Sequence, residues 1–150
     1  MISLRLLLIG IITISGQPLF AGERASDVIR IEKPFARAVI PGMGMSGAFM
    51  ELHNDGKTEH LLIDAKSTAA RYVELHAHIK KDGMMRMRRM AHFHLKPGQQ
   101  KVLRPGGLHI MLMGLQETID EGGEITIELY FDDGSQTHVK VPIKSISASQ

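Results

Sequence analysis

Turn-forming residues cut this chain into pieces too short for helices of ordinary length. Pro41-Gly42, Asn54-Asp55-Gly56, Asp82-Gly83, Pro97-Gly98, Pro105-Gly106-Gly107, Gly122-Gly123 and Asp133-Gly134 recur along it. Each supplies a preset φ or tolerance of positive φ, so each marks a place where the backbone reverses. The segments between them are β-prone, and none holds a helical period for three turns. They predict nine strands, at 35–40, 47–53, 60–66, 72–79, 84–90, 100–103, 108–113, 124–131 and 136–143. Short strands with frequent turns predict an all-β, antiparallel sandwich or barrel. A helical turn is expected at 67–71, and the polar residues 145–150 are expected to be a loose tail.

The length of 150 residues suits one domain. Its first stretch reads as a targeting segment rather than fold. Residues 1–20 carry Arg5 as their only charge, an apolar run at 6–14 and a polar end at Ser15-Gly16-Gln17-Pro18. That order is the order of a secretory signal, with Ala21 as the cleavage point and Leu19 an imperfect fit where a small residue is preferred. The apolar run is too short and too interrupted for a membrane span of roughly 20 residues. Residues 1–21 are therefore read as a signal peptide and 22–150 as the mature domain, outside the cytoplasm and with no stable membrane insertion after cleavage.

The sequence has no cysteine. That excludes a disulfide framework, thiolate zinc and iron–sulfur sites, a blue-copper centre and a lipid-bearing cysteine. Eighteen Lys and Arg against 16 Asp and Glu leave a formal charge of +2, which asks for no nucleic-acid partner. Enzyme readings find little support. There is no cysteine nucleophile, no Gly-x-Ser-x-Gly elbow and no glycine-rich phosphate loop. The pair Asp132-Asp133 falls in a turn, which it is expected to shape. The chain is read as a non-enzyme.

Against that background, 10 Met and 8 His stand out. His76 and His78 are separated by one residue on a predicted strand, His92 and His94 repeat the spacing, and His109 precedes Met111 by the same step. Residues i and i+2 of a strand share a face. The hairpin at Asp82-Gly83 brings an imidazole beside a thioether in either of two registers. A two-residue turn sets His78 opposite Met87, whereas a loop of 80–83 sets His76 opposite Met87. Side-chain bases in such pairs lie about 5 Å apart. Placing His109 and Met111 alongside makes four ligands. A thioether is soft, neutral and cannot be deprotonated, so it suits Cu(I), and imidazole binds copper in either oxidation state. Two Met and two His select Cu(I) without thiols that an oxidising compartment would consume.

His76, ten residues, Met87, twenty-one residues, His109, one residue and Met111 follow in order. This resembles the metal motif of the periplasmic PCu(A)C copper chaperones. The flanking residues are similar as well: Val73-Glu74-Leu75-His76, Asp82-Gly83-Met84-Met85-Arg86-Met87, and the run from Leu103-Arg104-Pro105-Gly106-Gly107 to Met113-Gly114-Leu115. The resemblance covers about 31–143. It implies a cupredoxin-like β-sandwich or barrel in the periplasm, with Cu(I) bound by His76, Met87, His109 and Met111. It also implies delivery toward the binuclear copper centre of cytochrome c oxidase, with the oxidase copper subunit or a Sco-type thiol chaperone as partner. Many members carry Met two residues after the first His. Here that place is His78, which tilts the expectation toward tolerance of Cu(II). Periplasmic copper buffering is the alternative use of the same site, and a copper redox protein is the further one.

Other residues carry simpler readings. Met113 and Met50 are expected in the core. Met43 and Met45, in a Pro-Gly-Met-Gly-Met loop, are read as ordinary loop residues, with capping of copper as the alternative. His92 and His94 are read as surface residues, with a second, weaker site for Cu(II) as the alternative. His53, His60 and His138 are expected at the surface or in turns. Lys80, Lys81, Arg86, Arg88 and Arg89 read as a solvated basic face, with steering toward an acidic partner as the alternative.

Overall fold

A computed structural model of the protein describes residues 22–148. The signal segment proposed for 1–21 lies outside the described residues. The chain forms one turn of helix, α1 (Ala25–Val28), followed by ten strands. They are β1 (Ile29–Arg37), β2 (Met45–Asn54), β3 (His60–Lys66), β4 (Ala70–Lys81), β5 (Met84–Arg89), β6 (Phe93–Leu95), β7 (Gln100–Leu103), β8 (Leu108–Leu115), β9 (Glu124–Phe131) and β10 (Gln136–Lys144). Their order across the sheet is β5-β4-β8-β7-β2-β1-β10-β9-β3-β6, with β8 also paired to β2. The ends fold over one another: β3 packs against β4, and Met90 N–H donates to the Leu75 carbonyl at 2.7 Å.

The layer between is apolar because the strands alternate. β9 buries Ile125, Ile127, Leu129 and Phe131, and β10 buries Val139, Val141 and Ile143. Facing them are Leu52, Ile110 and Leu112, each fully buried, and all join one core cluster with Leu62 and Leu103. Full burial of such a side chain stabilises the fold by about 1.5–3 kcal/mol. The period of two along β8 then has a consequence for the other face. With Ile110 and Leu112 in the core, His109 and Met111 point away from it.

The all-β expectation holds, with several corrections. Two ladders run parallel, β1 with β10 at Ala36 and Ile143, and β7 with β8 at Leu103 and Leu108. The first strand begins at Ile29 and ends at Arg37, earlier at both ends than expected. A bulge between Glu32 and Phe35 lets it pass Pro34, with Lys33 at φ 48°; at a bulge the missing proline N–H breaks no ladder hydrogen bond. β6 was not expected; Phe93 and Leu95 are buried and hold it on β3. The helical turn expected at 67–71 is instead a turn at 68–69 that feeds β4. The tail is tied at least to Ala148, whose carbonyl accepts from Arg37 Nε at 2.8 Å.

Asp132-Asp133 shapes its turn, as expected. Asp132 accepts from Leu61 N–H at 2.9 Å, and Asp133 accepts from Ser135 N–H at 2.8 Å and Ala25 N–H at 2.7 Å. Among the described residues, no helix is long and apolar enough to cross a membrane.

Candidate metal centre

The hairpin between β4 and β5 adopts the shorter of its two possible turns. Asp82 and Gly83 both take positive φ, 52° and 77°, the signature of a type I′ turn that matches strand twist. Lys81 therefore pairs with Met84, and His78 pairs with Met87. On its other edge β4 pairs with β8, placing His76 opposite His109 and Glu74 opposite Met111. β2 continues the same face, with Gly47 opposite Met111 and Met45 opposite Met113. Paired residues share a face, so one surface of four strands presents His76, His78, Met87, His109, Met111 and Met45.

A pocket of about 250 Å³ opens on this face. Met87, His109 and Met111 line it, as do His78, Met43 and Met45. His76 is not in the lining, although its ring centroid lies 5.7 Å from that of His109. The His78 ring is closer, at 5.2 Å, and nearly parallel to it. One open choice is settled here and one expectation changes. The residue that faces Met87 across the hairpin is His78, and the loop methionines Met43 and Met45 belong to the pocket wall. The first follows from the turn type, and the second from the pairing of β2 with β8, which brings Met45 and the loop before it, with Met43, over distant sequence.

The hydrogen bonds decide which imidazole nitrogens are free. His109 Nδ1 lies 3.1 Å from the Gly107 carbonyl. A carbonyl only accepts, so Nδ1 carries the hydrogen and, in the neutral ring, Nε2 keeps its lone pair. That Nε2 is buried and has no hydrogen-bond partner. Burial, with the neighbouring His78 and His76 acting in the same sense, holds the His109 imidazolium below the usual histidine range against the opposing Gly107 bond. His76 Nε2 lies 2.8 Å from a Glu74 carboxylate oxygen, so in the neutral ring its Nδ1 carries the lone pair. His76 Nδ1 and His78 Nδ1 are likewise buried without partners. Leaving a buried polar atom unpaired costs about 1–3 kcal/mol, so three of them on one face call for a ligand.

The remaining histidines sort differently from expectation. His138 is exposed, as expected. His60 is buried, with Nδ1 4.0 Å from both Asp132 and Asp133. His53 is largely buried, 3.3 Å from Glu32 and 3.6 Å from Glu51. Neither placement was readable from local sequence, because in each case at least one carboxylate partner lies on a distant segment. Met50 is fully buried and Met113 half-buried.

The model of the family described as putative lipoprotein LpqE-like matches residues 29–143. Putative lipoprotein Lxx21020 of Leifsonia xyli subsp. xyli is 35% identical over 127 residues, spanning 84% of this chain and 75% of that protein. Uncharacterized protein RP573 of Rickettsia prowazekii is 28% identical over 123 residues, spanning 79% and 68%. Among solved structures, the copper-bound PCuAC domain from PmoF2 matches with a TM-score of 0.69 at 23% identity, over 83% of this chain and 98% of that one, and shows the fold. The solution structure of CuI-DR1885 from Deinococcus radiodurans matches with a TM-score of 0.61 at 27% identity, over 83% of each chain. The chain thus has the PCuAC fold and belongs to the LpqE-like family.

Proposed function

We propose that this protein is an exported carrier of Cu(I), which it holds in the His–Met pocket and passes on by ligand exchange. The observation that carries this reading is the set of partnerless buried nitrogens: His109 Nε2, His76 Nδ1 and His78 Nδ1. They stand on the face that also presents Met87 and Met111. Neutral imidazoles and thioethers form a soft donor set, which suits Cu(I) over the oxygen-seeking ions. The Cu(I) form of DR1885, a structure of the same fold, supports the choice of metal.

Each residue has a separate task. His109 Nε2, Met87 and Met111 supply donors from the pocket wall. His76 adds Nδ1, and the carboxylate of Glu74 fixes its tautomer through Nε2–H, as outer carboxylates do for metal-bound histidines. His78, where relatives by resemblance carry Met, adds a third imidazole and widens the tolerated oxidation state to Cu(II). Met43 and Met45, both more than half exposed, offer thioethers at the mouth.

Transfer requires an open edge. Every residue of β5 is exposed, and Met87 is 41% exposed. An acceptor's thiolates can therefore replace Met87 first while Met111 and the histidines still hold the ion. We assign the oxidase copper subunit, or a Sco-type thiol chaperone, as acceptor, and assign no catalytic turnover to the protein. Met87→Leu is expected to weaken Cu(I) binding about 10-fold or more in competition with a chromophoric chelator, with the fold intact. Copper-loaded protein mixed with an apo-oxidase copper domain is expected to give up its metal directly. Retention of copper in that mixture overturns delivery and leaves buffering.

A further inference from the structure

We infer a second metal site, for Cu(II), on the edge strand β6, built from His92 and His94 and organised by Glu59. It lies away from the pocket in the strand order, since β6 ends the sheet opposite β5, and it does not depend on the reading of that pocket.

The two imidazoles aim the same atom at each other. His92 Nε2 and His94 Nε2 are 3.2 Å apart, with ring centroids at 4.8 Å and planes at 77°. Two nitrogens each bound about 2.0–2.1 Å from one ion stand about 2.9 Å apart at a right angle and about 3.3 Å apart at a tetrahedral angle. The observed spacing falls within that range, so chelation needs little movement of either ring.

The protonation pattern is also in place at His94. Its Nδ1 lies 2.7 Å from Glu59 Oε1. The carboxylate accepts, so Nδ1 carries the hydrogen and Nε2 keeps its lone pair in the neutral ring. This is the arrangement that carboxylates impose on metal-bound histidines from behind. Without metal, His92 Nε2–H donates to His94 Nε2. When an ion enters, that hydrogen leaves Nε2 and a hydrogen returns to His92 Nδ1 from solvent, so the ring stays neutral and both Nε2 lone pairs meet the ion. The backbone beneath is fixed, because Phe93 and Leu95 are buried and His94 pairs with Leu61 on β3.

The donor set selects the ion. The site offers imidazole nitrogen and no thioether, and its remaining positions are open to water, since the His94 side chain is 55% exposed. Imidazole suits Cu, Zn and Ni, and for such a site affinity peaks at Cu(II) in the divalent series. The chain would thus hold reduced copper among thioethers and oxidised copper on this edge.

The test is a titration of the mature apoprotein with Cu(II) sulfate, followed by electron paramagnetic resonance and proton NMR. The wild type is expected to take up one more equivalent than the His92→Asn/His94→Asn double variant, with splitting from two nitrogens, and its His92 and His94 ring signals are expected to broaden. Glu59→Gln is expected to weaken that equivalent by 10- to 100-fold. Met87→Leu is expected to leave it unchanged. Circular dichroism checks that the exposed substitutions preserve the fold. Equal uptake by the double variant, or no uptake assigned to these rings in the wild type, overturns the inference.

Discussion

The histidine–methionine pocket and the cluster of Glu32, Glu51 and His53 lie on the same large sheet, and they differ in what their polar atoms already hold. Glu32, Glu51 and His53 bring ligand atoms within 4.8 Å of one another. By proximity alone that is the better-looking cation site. Its charge is already answered: Lys33 Nζ lies 2.8 Å from Glu51 Oε1, Gln100 Nε2 donates to Glu51 Oε2 at 2.9 Å, and Arg30 bonds to Glu32. An entering cation would have to displace a protein cation. His53 Nε2 is buried without a hydrogen bond, but it lies 3.3 Å from Glu32 and 3.6 Å from Glu51, whose charges Arg30 and Lys33 already hold. In the pocket, three buried imidazole nitrogens have no hydrogen-bond partner, and Glu74 is spent on the far side of His76. Ligand atoms whose charges already hold protein cations are therefore a weaker sign of a site than several open imidazole nitrogens gathered beside thioethers.

The sharpest way to break this contrast is to remove one nitrogen from each region. His109→Ala is expected to lower Cu(I) affinity by more than about 100-fold, beyond the 10- to 100-fold range for outer-shell changes. His53→Ala is expected to leave Cu(I) affinity unaltered. Competition titration of the two variants settles the matter, and equal losses would erase the distinction. A smaller effect separates the two faces of β8. Ile110→Ala is expected to destabilise the fold by about 2–5 kcal/mol, as other large-to-small core changes do, while sparing the donors. Met111→Leu conserves volume and is expected to cost under about 1.5 kcal/mol of stability, yet to lower Cu(I) affinity about 10-fold or more. Denaturant midpoints measured beside metal titrations separate packing from ligation.

These contrasts also show why some of the site could be read in the sequence and some could not. Alternation and turn residues located β3, β7 and β9 to the residue, because β9, for example, repeats Ile125, Ile127, Leu129 and Phe131 at a strict period of two. The spacing of Met87, His109 and Met111 placed three pocket residues. The choice between His76 and His78 was not available, since they share a face and only the φ values of Asp82 and Gly83 fix which one meets Met87. Met45 joins the wall through the β2–β8 ladder, and Met43 through the loop that leads into it, a contact between segments more than sixty residues apart. The surroundings of His53 and His60 likewise include carboxylates from distant segments, Glu32 on β1 and Asp132-Asp133 in the turn after β9. Local pattern sets the strands; long-range register sets which donors converge.

The smallest expected effect belongs to the charge-paired cluster and concerns pH. The hydrogen bond from Lys33, aided by the lysine's charge and by His53, holds the Glu51 carboxyl below its ordinary value despite opposing desolvation. A group with a lowered folded pKa binds its proton more readily in the unfolded chain. Its contribution to stability is full above the unfolded value of about 4.3 and is lost as pH falls through the folded value. Glu51→Gln removes the titrating group, so the variant is expected to lose less stability than the wild type between about pH 5 and pH 3. Urea midpoints across that interval measure it. The variant's Cu(I) affinity at neutral pH is expected to match that of the wild type, because Glu51 lies outside the pocket and its carboxylate is already held by Lys33 and Gln100. A parallel slope in both proteins would mean that Lys33 does not hold Glu51 in solution, and the cluster would then be open to a metal after all.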